Sequence, residues 1–64
     1  MRQLDIDEIP RSVKALPMLA RHIWLRVYNR SIKVNKPNKS VENAWNVVKV
    51  LYKKTPKGKW MKRP

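Results

Sequence analysis

The side chains here with chemistry to offer are cations. Thirteen Lys and Arg lie in residues 21–64 against one acid, Glu42. In residues 1–20, Arg2, Arg11 and Lys14 balance Asp5, Asp7 and Glu8, so the formal charge of +12 belongs to the last two-thirds of the chain. A field of that sign draws polyanions and raises encounter rates with nucleic acid or an anionic membrane, while self-repulsion opposes compaction. Two groups stand out. His22, Arg26, Arg30 and Lys33 recur at three- and four-residue spacing, and Lys36 and Lys39 follow directly. Their Arg members offer forked donors that suit phosphate oxygens. Lys57, Lys59, Lys62 and Arg63 surround Trp60. Cations interleaved with an aromatic ring suit phosphate contact combined with base stacking.

Other chemistries lack their constellations. General acid–base catalysis wants a positioned His or carboxylates held near other reacting groups. His22 is the single histidine, and it sits beside Arg26 on the polar side of its segment. Three of the four acids cluster at Asp5, Asp7 and Glu8, where helix capping accounts for them. One glycine, Gly58, cannot build a phosphate-cradling loop. There is no cysteine and no second histidine, so neither thiol chemistry nor a paired metal-ligand set is available. The expectation is a protein that is not an enzyme, with no metal, no cofactor and no small-molecule substrate.

The elements that must carry these cations follow from periodicity. Sixty-four residues allow one domain, 1–64, and a chain of this size buries only about 60 % of its unfolded surface. Asp5 to Pro10 reads as an extended lead-in. Helix one covers about 10–15, with Pro10 suited to a first helical position and Pro17 disfavouring helix at Leu16. Helix two covers about 17–34. Ala20, Ile23, Trp24, Val27, Tyr28 and Ser31 fall on one face, with Leu25 and Ile32 on its flank. Asn35 to Lys39 is a turn containing Pro37, after which helix three covers about 40–54. Ser40 is read as its N-cap, with Glu42 against the positive end of the helix. Val41, Ala44, Trp45, Val48, Leu51 and Tyr52 line its apolar face, and Val47 lies beside them. The fold class is thus mainly α, a small three-helix domain with extended termini. Residues 59–64 alternate briefly and could pair as a strand with Leu4–Ile6.

The longest uninterrupted apolar stretches are three residues, far short of the roughly 20 that a membrane span needs. Met1 to Asp5 has no apolar core of a signal peptide, which points to a soluble, intracellular protein. A basic amphipathic helix can lie on an anionic membrane, but the apolar face of helix two is needed against helix three. Trp24, Trp45, Tyr28 and Tyr52 fall in register with that core rather than with base stacking. Trp60 reads best as folding back to cover it. A charged helix face is ordinarily just solvated, but such faces usually mix signs, and the one carrying Arg26, Arg30 and Lys33 does not.

Several segments in order resemble the ChaB family of small proteins. Ile9-Pro10-Arg11-Ser12-Val13-Lys14 is similar to its opening Leu-Pro-x-x-Val-Lys. Leu16-Pro17 is followed by Ala20, Ile23, Trp24, Val27, Tyr28 and Asn29, with aromatics and an Asn where the family has them. Ala44-Trp45-x-x-Val48-Lys49-x-x-Tyr52 and Gly58-Lys59-Trp60 complete the set, over about residues 8–61. The step from Val13-Lys14 to Leu16-Pro17 is one residue shorter than in bacterial members. The loop before Ser40 is short and lacks their acidic stretch, so the chain looks more like the baculovirus forms. The bacterial resemblance implies a cation transport regulator acting by docking on a protein partner. The baculovirus resemblance implies a viral DNA-binding protein, which would work in the host nucleus. The charge agrees with the second, and favours DNA over RNA only through that resemblance. Arg26, Arg30, Lys33, Lys36 and Lys39 would then meet phosphates, with Lys57, Lys59, Lys62 and Arg63 as a second patch.

Overall fold

A computed structural model describes residues 3–64; Met1 and Arg2, part of the stretch read for a signal peptide, lie outside the described residues. A 3-10 turn at Ile6–Glu8 precedes α1 (Arg11–Lys14), α2 (Met18–Ser31) and α3 (Pro37–Leu51). A two-stranded hairpin follows, β1 (Tyr52–Lys54) with β2 (Trp60–Lys62). The three-helix, mainly α architecture read from periodicity is present. Proline punctuates it. Pro10 and Pro17 stand extended immediately before α1 and α2, and Pro37 is the first residue of α3. Their fixed φ and missing N–H suit helix starts, where no intrahelical donor is lost.

The two long helices pack against each other in antiparallel fashion. Ser31 at the end of α2 meets Ser40 near the start of α3, and two turns back Trp24 meets Trp45, just past the midpoint of α3. Ala20, Trp24, Tyr28, Ile32, Ala44, Val48 and Tyr52 are buried between them. Ile9, Val13 and Leu16 close the core from the N-terminal side. Small Ala20 and Ala44 let the helices approach closely enough for Trp24 to be fully enclosed. Trp24 stacks on Tyr28 (centroids 5.2 Å apart, planes 6° from parallel) and meets Trp45 edge-on at 6.3 Å. Trp60 lies 5.7 Å from Trp45 and is half-buried, so it covers the core as its position in the tail suggests.

Polar groups fasten the ends of this pair. Ser31 Oγ accepts from Asn35 Nδ2 and Asn43 Nδ2, both at 3.0 Å, and lies 3.1 Å from Ser40 Oγ. Ser40 is the donor in that pair, so three side chains converge on one hydroxyl oxygen. At the other end, Arg21 Nε donates to the Leu16 carbonyl at 2.7 Å and fixes the α1–α2 corner.

Several boundaries differ from the reading by periodicity. Helix two stops at Ser31, and Ile32–Val34 form a turn in which Val34 and Asn35 donate backbone bonds to the Ser31 carbonyl. Helix three begins at Pro37, three residues before Ser40. Ser40 is therefore not an N-cap but a buried residue, and its hydroxyl faces Ser31 rather than a first-turn amide. Glu42 consequently falls beyond the first turn and pairs with Lys39 at 3.8 Å. The helix ends at Leu51, and Tyr52–Lys54 are extended. Strand pairing does involve the tail, but its partner is β1 and not Leu4–Ile6. The register is Tyr52 with Lys62, Lys53 with Met61 and Lys54 with Trp60. Thr55–Lys59 close that hairpin, with Gly58 at φ 84°, a conformation that costs glycine little. The lead-in is not wholly extended. Ile6–Glu8 make the 3-10 turn, and Glu8 Oε1 accepts from the Asp5 amide at 2.9 Å.

Candidate nucleic-acid interface

The buried face of α2 is turned toward α3, so the residues between its buried positions must face outward. His22, Arg26 and Arg30 are all exposed there, in one line along the helix. Lys33 continues the line but lies in the turn after α2, because the helix stops at Ser31. Lys36 occupies the position just before α3 and is exposed. Lys39, expected in a loop, is on the first turn of α3, and Glu42 neutralises part of its charge. Arg26, Arg30, Lys33 and Lys36 thus form a surface of one sign running from mid-α2 over the interhelical turn.

The second group is displaced from the first. Since α3 runs antiparallel to α2, the hairpin that follows it lies toward the N-terminal end of α2, away from Lys33 and Lys36. Lys57 and Lys59 sit in the hairpin loop and Lys62 on β2, all exposed. Arg63 is exposed too, but its Nε donates to the Lys49 carbonyl at 3.0 Å and its amide to the Leu51 carbonyl at 2.8 Å. It therefore closes the C-terminal end of α3 and offers a phosphate fewer free donors than its position suggests. Trp60, which cations flank in sequence, is engaged with Trp45 and is not a free stacking platform.

In residues 21–64 three exposed cations, Lys49, Lys53 and Lys54, escaped the selection from sequence. Lys53 and Lys54 read as the end of a helix, whereas β1 sets them beside the hairpin loop. The Thr-Pro-x-Gly turn signal between two short alternating runs was the available clue. A depression of about 650 Å³ lined by Ile6, Asp7, Ile9, Lys14, Met18, Arg21 and His22 holds the lone histidine. Asp7 opposes its cations, so it is not tuned to an anion. Among the described residues no set of three or more His, Cys, Asp or Glu converges to hold a metal ion. No helix of the described residues is long and apolar enough to cross a membrane.

A small helical pair closed by a hairpin, its core built on Trp and its outer surface basic, defines a compact scaffold of the ChaB type. The chain matches that family over residues 9–63 and belongs to it. It is 38% identical, over 58 residues, to a 10.9 kDa protein of the LEF8-FP intergenic region of Lymantria dispar multicapsid nuclear polyhedrosis virus, described as uncharacterized. The match takes in 89% of this chain and 60% of the relative, so the chain spans less than two-thirds of that protein's length. No solved structure matches the chain. The apolar positions of the family pattern and its Asn are structural here. Val13, Leu16, Ala20, Trp24, Tyr28, Ala44, Val48 and Tyr52 are core, and Asn29 fastens the N-terminal segment through its side chain.

Proposed function

We propose that this protein binds nucleic acid, DNA in the first instance, through phosphate contacts with little dependence on sequence. The observation that carries the reading is the one-signed exposed surface of Arg26, Arg30, Lys33 and Lys36, with Lys39 at its margin. Core packing requires none of these side chains, so their sign is free to serve a partner. The hairpin cations Lys57, Lys59 and Lys62 form a secondary contact area. Similarity to a protein of a nuclear polyhedrosis virus supports a viral setting, and with it action on DNA in the host nucleus.

Gel-shift titrations of duplex DNA, single-stranded DNA and RNA at several salt concentrations test this. Neutralising about five phosphates gives a slope of log K against log salt near −4.5 on duplex DNA. Absence of binding at low salt, or a slope near zero, removes the reading.

A further inference from the structure

Apolar side chains are also exposed, and some of them are gathered. Val47, Val50 and Leu51 stand at helical neighbour spacing on one flank of the buried face of α3. Val50 is 71% exposed and Leu51 41%. Met61, 56% exposed, stands on β2 of the hairpin that follows α3. The Arg63 amide bonds the Leu51 carbonyl, so the ladder continues one residue past Tyr52–Lys62. Side chains alternate across a strand pair. Tyr52 is buried and Trp60 half-buried, so their face of the hairpin is inward. Leu51, Lys53, Met61 and Arg63 therefore share the outward face, where Leu51 and Met61 are diagonal neighbours within side-chain reach. The result is an apolar ridge of Val47, Val50, Leu51 and Met61 with Lys53 and Arg63 beside its hairpin end. The sequence holds no acid after Glu42.

We infer that this ridge is a docking surface for an anionic lipid bilayer. The occupant must accept protruding apolar side chains and carry negative charge around them. A second copy of this chain fails the charge requirement, since each carries +12. A folded protein partner ordinarily engages roughly 20–30 residues a side, and the ridge offers four apolar side chains. A bilayer surface needs only a few inserted side chains when cations beside them meet anionic headgroups, because each Lys or Arg near the surface adds its own attraction. The α2 stripe takes no part in this. Its apolar face is occupied by the core, whereas the ridge is left over after the core is complete.

The test is co-sedimentation of the full chain with vesicles of mixed phosphatidylserine and phosphatidylcholine, and with vesicles of phosphatidylcholine alone. Expected is sedimentation with the mixed vesicles only, and a loss of about tenfold in partitioning for V50N/M61Q, whose two sites are exposed. The double variant keeps the parent's thermal melt and its affinity for duplex DNA. Failure of the parent to sediment, or equal sedimentation of the variant, overturns the inference. So does a parent dimer in sedimentation equilibrium that the variant lacks, which gives the ridge to a second copy. Loss of DNA affinity in the variant overturns it as well, by placing the ridge in the nucleic-acid interface.

Discussion

The side-chain carboxamide of Asn29 grips both backbone groups of Leu4: its Oδ1 accepts from the Leu4 amide at 2.7 Å, and its Nδ2 donates to the Leu4 carbonyl at 2.8 Å. The two bonds imitate one rung of a β-ladder, with a side chain in place of a strand. They hold the segment before Ile6 against α2, where a strand partner from the tail was expected. Asn29→Asp keeps the acceptor and loses the donor, so it leaves the Leu4 carbonyl facing a carboxylate. Asn29→Asp and Asn29→Ala should each cost about 1–3 kcal/mol in urea denaturation. Parental stability in both would show that the N-terminal segment is not docked.

Ser31 serves three partners, and its loss reaches beyond one hydroxyl. Ser31→Ala leaves the buried Ser40 hydroxyl, Asn35 and Asn43 without their shared oxygen. The expected cost is about 1–3 kcal/mol. Because Ser40 depends on Ser31, S31A/S40A should cost less than the sum of the single variants. A double-mutant cycle of denaturation free energies measures that difference. Simple additivity would show that the two hydroxyls act independently.

Trp24 is fully enclosed, and its Nε1 has no acceptor among the described residues, so packing alone holds it. Trp24→Ala should cost about 3–5 kcal/mol, enough to unfold a domain whose whole stability is of the order of 5 kcal/mol. Trp45 is half-buried between Trp24 and Trp60, so Trp45→Ala should cost less. Far-UV circular dichroism across a thermal melt ranks them. The reverse order would mean that the core is centred on α3 instead of α2.

Gly58 has open space where a Cβ would stand, yet its φ is 84°. Gly58→Ala should therefore cost about 1–2 kcal/mol through conformation alone. The loss should appear as earlier exchange of the β1 and β2 amides, with α2 and α3 little changed. Unaltered hydrogen exchange in the hairpin would contradict this.

Arg26 and Arg30 are exposed and outside the core, so R26A/R30A should melt like the parent while binding DNA more weakly. If each meets one phosphate, the salt slope should fall in magnitude by about 1.8. The weakening should be the same for unrelated duplex sequences. A sequence-dependent loss would assign one of these arginines to base contact instead.

The apolar pattern made the helices and most of the core readable, because Ala20, Trp24, Tyr28, Ala44 and Val48 recur at spacings that only a helix places on one side. The turn between the long helices was harder to place. Ser40 has the right chemistry for a cap, and nothing local says that Pro37 starts the helix first and draws Ser40 under Ser31. The run through Lys54 kept enough helical character to hide the break at Tyr52, which is imposed by pairing with a segment eight residues further on. Individual cations were legible as exposed, since a core cannot hold them. Their grouping was not, because it depends on the antiparallel turn of α3 and on the hairpin, both tertiary outcomes.

The principal packing joins neighbours in sequence: α2 with α3 across a five-residue connection, and β1 with β2 across five more. Little chain has to be searched before each contact closes. Such local topologies fold on the microsecond-to-millisecond scale, and mutual repulsion among the cations is the main brake on collapse. Added salt should therefore speed refolding after a temperature jump while it weakens attachment to any polyanion. One and the same charge would govern how fast the protein forms and how firmly it holds on.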